Sequence, residues 1–169
     1  MSKRKGNAGE LELCKRLKEI FGGSFIRVPN SGAFTGGKNA FRKELLSENQ
    51  NRASKGDIIP PDFMPKLVLE SKFYKDFRFH QLLQPGACKQ LDEWIGQSLD
   101  ANDPGDVWFV CFKINLRGWY IAVPFETSAD YSFENHCHYT GEHGKFIVTS
   151  AIEFFEANRD LILKQTASD

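Results

Sequence analysis

The sequence lacks any apolar stretch close to the roughly 20 residues that a helix needs to span a lipid bilayer. A role in a membrane is therefore not expected. The amino terminus, Met-Ser-Lys-Arg-Lys-Gly, is basic, but it leads into Gly-Asn-Ala-Gly-Glu instead of an apolar segment, which excludes a secretory signal. We therefore expect the protein to act in the cytoplasm or on the nucleoid.

Closely spaced cysteine pairs are also missing. The four cysteines lie far apart in the sequence, at Cys14, Cys88, Cys111 and Cys137. Since no Cys-x-x-Cys pair occurs, neither a compact disulfide framework nor a zinc ribbon is expected, and the cysteines are interpreted as reduced thiols.

A cluster of histidines is another candidate for a metal-binding site. His136, His138 and His143 lie close together around Cys137, in a polar segment. A metal clip is one interpretation. Histidines at this spacing more often face solvent or form surface hydrogen bonds, and we prefer that second interpretation.

Nucleotide-binding motifs are absent as well. Gly32, Gly36 and Gly37 are not followed by the Gly-Lys-Ser/Thr that completes a phosphate-binding loop. No nucleotide cofactor is therefore expected.

The net charge is zero, but the charge is unevenly distributed along the chain. Residues 1–80 contain 16 Lys and Arg against 9 Asp and Glu, a balance of +7, and residues 81–169 carry −7. Clustered positive charge is typical of phosphate binding, which makes the first half a candidate nucleic-acid surface. A solvated face with local ion pairs is the alternative.

A chain of 169 residues fits one domain with a substantial core. Hydrophobic periodicity, capping residues and Gly/Pro breaks predict the element order. The predicted elements begin with a helix at 7–21, a strand at 24–28 and a short helix at 39–48. Strands at 56–60 and 66–72 form a hairpin, and a helix at 82–101 precedes strands at 107–114 and 118–124. An irregular region at 125–145 leads to a terminal helix at 150–164, which begins with a Ser150/Glu153 capping box. This order predicts a single α/β domain with a mixed central β-sheet flanked by helices, made of a core at about 3–124 and a C-terminal extension at about 125–169.

The strongest chemical motif is a Gly-Asp separated by twelve residues from a Glu-Ser-Lys. The two-residue period of a strand places Glu70 and Lys72 on one face, about 6.6 Å apart. In the predicted hairpin, Asp57 on the partner strand lies beside Glu70. Two carboxylates bind a hard divalent ion, and a nearby lysine orients water or stabilises charge in phosphodiester hydrolysis. An ordinary ion-paired hairpin edge is the alternative.

This arrangement resembles the PD-(D/E)xK nuclease superfamily, whose restriction-endonuclease-like core has an Asp on one strand and Glu-x-Lys on the next. Over residues 3 to 114 it resembles more narrowly the archaeal-type Holliday junction resolvases and their phage relatives. That likeness is carried by Lys5-Gly6-Asn7-Ala8-Gly9-Glu10, Phe25-Ile26-Arg27-Val28-Pro29-Asn30-Ser31-Gly32, Gly56-Asp57-Ile58-Ile59 and Leu69-Glu70-Ser71-Lys72.

The resemblance implies roles for individual residues. Glu10, Asp57 and Glu70 would bind Mg²⁺, with Mn²⁺ as a substitute, and Lys72 would be the catalytic lysine. Ser31 would act with Arg27 at the scissile phosphate, and Gln90 would be a polar helix residue facing the site. The wider set of expected DNA-binding residues is Lys3, Arg4, Lys5, Arg27, Ser31, Lys38, Arg42, Lys43, Arg52 and Lys55.

The chain also departs from that family. Leu11 stands where a basic residue often follows the helix glutamate, Gly56 replaces the proline before the aspartate, and the stretch between Ser31 and Asp57 is longer than usual. The expected function is a homodimeric nuclease that resolves four-way junctions. The alternatives are a restriction or repair nuclease on duplex or flapped DNA, and a noncatalytic DNA-binding module.

Aromatic residues are abundant. Trp94, Trp108 and Trp119 are expected in the core and in a dimer interface instead of stacking on bases. The segment 73–80 alternates aromatic and basic side chains directly after the Glu-x-Lys strand. Its pattern is compatible both with packing and with DNA contact.

Overall fold

The computed structural model of the protein describes residues 3–28 and 55–169. The predicted helix at 39–48 lies outside these residues, as do Ser31, Lys38, Arg42, Lys43 and Arg52. The side chains of Lys3, Arg4 and Lys5 are also outside the described part.

The first helix, α1, spans Lys3–Phe21 and confirms the predicted one with an earlier start. It buries an apolar stripe that contains Leu13, Leu17 and Phe21. The helix ends at Gly22, whose positive φ of 76° and backbone bond to the Lys18 carbonyl close its last turn.

Two short strands follow, β1 at Ile26–Arg27 and β2 at Ile58–Ile59, and they pair antiparallel with each other. The long strand β3, at Leu67–Tyr74, pairs in parallel with β4, at Val107–Ile114. The predicted hairpin between β2 and β3 is therefore wrong. Pro60 and Pro61 lack the N–H groups that a continuous ladder would need between these strands.

A five-stranded mixed sheet forms the centre of the domain, in the order β3-β4-β5-β7-β6. Strand β5 spans Gly118–Pro124, β6 spans His136–Gly141 and β7 spans Gly144–Ser150. Only the pair formed by β3 and β4 is parallel. The predicted bounds of β4 and β5 are confirmed, and so is a mixed α/β domain.

The irregular region predicted at 125–145 is wrong, because it contains β6 and the start of β7. Strand β6 is an edge strand in which only Tyr139 is fully buried. Its remaining side chains are polar or small, so the sequence shows no alternation of apolar residues there. The division into a core at 3–124 and an extension at 125–169 stays a prediction, although β6 and β7 belong to the central sheet.

Both long predicted helices are interrupted. A 3₁₀ turn at Phe79–Leu83 precedes helix α2, at Lys89–Ala101, with Pro85 and Gly86 between them. The terminal helix divides into α3, at Ala151–Ala157, and α4, at Arg159–Thr166. Ser150 occupies the N-cap position of α3, but its side chain makes no capping hydrogen bond, so the predicted capping box does not form.

The sheet is covered on both faces. One apolar cluster joins α1, α3 and α4 to the sheet through Leu17, Phe109 and Phe155. The other joins α2 to the opposite face through Trp94 and Phe112. No helix in the described residues is long and apolar enough to cross a membrane. The four cysteines form no disulfide, which confirms their interpretation as thiols.

Candidate active site

Glu70 and Lys72 lie on β3, which is an edge strand of the five-stranded sheet. As the strand period predicts, they share one face. The Lys72 ammonium donates a 2.6 Å hydrogen bond to Glu70 Oε1. Glu70 is only 5% exposed. A largely buried ion pair therefore lies in the middle of this edge strand.

Backbone hydrogen bonds place Asp57 next to this pair. Its N–H donates to the Leu69 carbonyl at 2.8 Å, and its own carbonyl accepts from the Val28 N–H at 2.9 Å. Its carboxylate Oδ2 accepts a 2.6 Å bond from the Ser71 N–H. Asp57 is 4% exposed. The predicted convergence of Asp57, Glu70 and Lys72 is thus present. It is produced by individual hydrogen bonds from Asp57 to β3 and not by the hydrogen-bond ladder of a hairpin.

Gly56 makes this approach possible. Its φ is +62°, and a Cβ atom at this position would lie 2.5 Å from the Leu69 carbonyl oxygen. A proline is fixed near −65° and cannot adopt this conformation. The departure from the family's proline therefore has a local structural reason.

The electrostatics of the site are dominated by buried negative charge. Burial, and after it the charge of Asp57, raise the pKa of Glu70 to about 7 against the opposing effect of Lys72. Burial also lowers the pKa of Lys72, but the Glu70 carboxylate outweighs this effect and leaves that pKa above its ordinary value. One lysine thus compensates the two carboxylates incompletely.

Glu10 extends the acidic environment from α1. Burial and the charge of Asp57 raise the pKa of Glu10, although Arg27 opposes the shift. Arg27 Nε donates to Glu10 Oε2, and its Nη2 donates a 2.6 Å bond to Asn7 Oδ1. The guanidinium assigned by resemblance to the scissile phosphate is therefore held by two α1 side chains in this structure.

Gln97 is a site residue that sequence reasoning missed. Its Oε1 accepts a second 2.6 Å hydrogen bond from the Lys72 ammonium. The resemblance pointed to Gln90, which lies seven residues earlier and thus on nearly the same face of α2. That helical spacing was the available signal for Gln97.

The donor set is compatible with Mg²⁺. Among residues 3–28 and 55–169, no three His, Cys, Asp or Glu side chains are grouped closely enough to form a metal cage by themselves. Mg²⁺ does not need one, since it is commonly held by one or two carboxylates while it retains several waters. Asp57 and Glu70 supply these carboxylates, and the raised pKa of Glu70 marks negative charge that a cation would neutralise.

The histidine cluster does not form a comparable site. His136, His138 and His143 are exposed, as the preferred interpretation predicted. His136 Nδ1 is 3.0 Å from the Glu134 carbonyl oxygen.

Lys55 is engaged elsewhere in the protein. Its ammonium lies 2.7 Å from an Asp103 carboxylate oxygen and 2.8 Å from one of Asp106. Its proposed contact with DNA stays a prediction.

The fold is restriction-endonuclease-like, and Asp57, Glu70 and Lys72 meet at the edge strand of its central sheet. This combination defines a nuclease of the PD-(D/E)xK superfamily. The family model described as "Phage putative PDDEXK endonuclease" matches residues 1–162, so the chain belongs to that phage family. It is similar to Protein D14 of Escherichia phage T5, with 30% identity over 126 residues, covering 72% of this chain and 70% of that protein. No solved structure gives a significant match.

The stability of the metal-free protein should depend on pH because Glu70 takes up a proton. Its pKa is about 7 in the folded state against 4.5 for the ordinary group, so the folded state binds the proton more tightly. Its contribution to the free energy of unfolding must therefore decrease as pH rises from about 4.5 to about 7. We expect the melting temperature of Glu70→Gln, relative to the unmodified protein, to increase across this range in EDTA.

Glu12→Gln is the matched control, because the shift of Glu12 has the opposite sign. Burial raises the pKa of Glu12, but hydrogen bonds from Lys113 and Trp119 outweigh burial and lower it. Glu12 therefore stabilises the fold above its ordinary pKa of 4.5, so the relative melting temperature of Glu12→Gln should fall as pH rises to about 4.5 and stay level from there to about 7. A pH-independent difference for Glu70→Gln would contradict the assigned shift.

Proposed function

We propose that the protein is a Mg²⁺-dependent DNA endonuclease that resolves four-way junctions by paired nicks. The observation that carries the proposal is the convergence of two buried carboxylates, Asp57 and Glu70, with Lys72 on an edge strand of the sheet. The family membership supports nuclease chemistry. The preference for junctions rests on the sequence resemblance.

Asp57 and Glu70 would hold the metal, with Glu10 as a third carboxylate nearby. Mg²⁺ held by these residues would polarise the scissile phosphate and make a water molecule a better nucleophile. Glu70 and Gln97 hold the Lys72 ammonium by two 2.6 Å hydrogen bonds. From that position Lys72 orients the attacking water and stabilises negative charge that develops on the phosphate. Mn²⁺ is proposed as a substitute for Mg²⁺.

Resolution of a four-way junction requires two cuts, and one such site cuts one strand. We therefore propose a homodimer, whose two-fold symmetry would match the two opposed strands of the junction. The substrate would be branched or duplex DNA in the cytoplasm of a phage host. The basic first 80 residues, with a balance of +7, support a phosphate-binding surface.

A restriction or repair nuclease on duplex or flapped DNA is the second candidate. The family match supports it equally, since the family description names an endonuclease and no particular DNA structure. A noncatalytic DNA-binding module is disfavoured, because Asp57, Glu70 and Lys72 are all present and close together.

The test uses a four-way junction, a flap and a linear duplex of matched sequence, incubated with Mg²⁺, Mn²⁺ or EDTA. We expect symmetric paired nicks on the junction with either metal and no cleavage in EDTA. Glu70→Ala should abolish cleavage, whereas Glu93→Ala, which changes an exposed glutamate of α2, should not. Equal cleavage of the linear duplex would overturn junction resolution, and cleavage by Glu70→Ala would overturn the assigned site.

A further inference from the structure

A groove of about 790 Å³ opens at the end of β3, beyond the candidate active site. We call it the aromatic groove. Its lining includes Phe77, Phe79, Leu116 and Tyr120, together with the cationic side chains of Lys75 and Arg117. Phe77 and Phe79 belong to the segment 73–80, whose sequence is compatible both with packing and with DNA contact. In the structure Phe77 is buried in the core, whereas Phe79 is partly exposed.

The aromatic rings of the groove are held rigidly by the core. Phe79 is 37% exposed, and its ring centroid lies 4.8 Å from those of Phe77 and Tyr120. Tyr120 in turn stacks on the buried ring of Phe112 at 5.6 Å. An exposed ring fixed in this way can stack on a planar ligand with little further loss of side-chain entropy.

Leu116 projects from the turn between β4 and β5 at the rim of the groove. It is 94% exposed, and among the described residues it alone combines a side chain with a positive φ, of 59°. A bulky apolar residue in this conformation is strained, and its exposure shows that hardly any packing within the described residues offsets the strain. Such strain is compatible with a role in binding, where an apolar side chain can act as a wedge between bases.

The groove and the candidate active site lie on one face of the sheet. Lys72 is in register with Phe112 on β4, and Phe112 is in register with Tyr120 on β5. Two strand spacings therefore separate Lys72 from Tyr120, about 10 Å. This is the length of about three stacked nucleotides of one DNA strand.

The charge at the groove favours nucleic acid as the ligand. Among the described residues that line it, Lys75 and Arg117 are exposed cations, and Asp76 is the one carboxylate. A second copy of the chain would instead require a broad complementary face, whereas this surface is concave and has a net positive charge.

We propose that the aromatic groove binds an unpaired nucleotide at the branch point of the substrate, with Leu116 inserted between the bases beside it. This inference rests on the proposed nuclease function and specifies which part of the DNA is recognised. Stacking on Phe79 holds the base, and Lys75 and Arg117 contact the adjoining phosphates.

Leu116→Gly is the decisive variant. Glycine adopts a positive φ without strain, so the variant should fold at least as well as the unmodified protein. Affinity is measured on a four-way junction and on a linear duplex without divalent metal, so that cleavage does not interfere. We expect affinity for the junction to decrease about tenfold and affinity for the duplex to stay unchanged. Phe79→Ala should behave similarly.

Leu83→Ala is the matched control, since Leu83 is 77% exposed and belongs to the same 3₁₀ turn as Phe79, outside the groove lining. It should bind both DNAs normally. A 2-aminopurine at the branch point should change its fluorescence on binding of the unmodified protein, and this change should be lost with Leu116→Gly.

The outcomes separate this inference from the proposed function. If the unmodified protein binds and cuts DNA and Leu116→Gly binds the junction equally well, only the groove assignment is overturned. An equal loss of affinity on the duplex would overturn it too. If sedimentation shows that Leu116→Gly dissociates a dimer, the groove contacts a second copy instead. If the unmodified protein neither binds nor cuts any DNA, both proposals fail.

Discussion

Lys72→Ala is expected to lower the rate of DNA cleavage by about two to four orders of magnitude, the range typical of a lost proton-transfer or charge-stabilising group. Affinity for the same DNA should change by less than about threefold, since the ammonium is held by Glu70 and Gln97. Charge that develops only in the transition state affects catalysis more than binding.

Single-turnover cleavage with Mg²⁺ gives the rate, and fluorescence anisotropy without divalent metal gives the affinity. Lys89→Ala is the matched control, because Lys89 is an exposed lysine at the start of α2. It should cut at the normal rate. Equal losses of rate and affinity in Lys72→Ala would show that Lys72 contributes to DNA binding instead of catalysis.

Gly56→Pro, which introduces the family's usual proline, is expected to destabilise the protein and to abolish cleavage. Glycine at this position has a φ of +62°, while proline is restricted to about −65°, at a cost of about 3 kcal/mol or more. The backbone of Asp57 would also lose its close approach to Leu69, and the carboxylate would move away from Glu70.

Gly105→Ala is a control that shows the cost of backbone strain alone, without the steric clash expected for Gly56→Ala. Gly105 also has a positive φ, of +89°, but a Cβ there would meet no atom within 4 Å. We expect Gly105→Ala to cost about 1–2 kcal/mol and to keep full cleavage. Gly56→Ala should be more destabilising, because its Cβ would lie 2.5 Å from the Leu69 oxygen.

Chemical denaturation measures stability, and cleavage is assayed under conditions in which each variant remains folded. A folded Gly56→Pro protein that cuts at the normal rate would contradict the account of Gly56. Equal effects of Gly56→Ala and Gly105→Ala would show that only the backbone conformation matters there.

Local sequence patterns determined several features of this protein. The two-residue period placed Glu70 and Lys72 on one face, and runs of apolar residues bounded by turn residues defined β4 and β5 correctly. These features depend on neighbours a few residues apart, so the sequence contains the information directly. The chemistry of the candidate site follows from the same local motif.

Only the tertiary structure decided which distant groups meet. It paired β2 with β1, joined Gln97 to Lys72 across 25 residues, and bonded the Asp57 carboxylate to the Ser71 N–H. It also placed β7 between β5 and β6, and formed β6 in a segment without an apolar pattern. Such contacts depend on burying surfaces and satisfying backbone groups throughout the domain, and local periodicity contains no information about either.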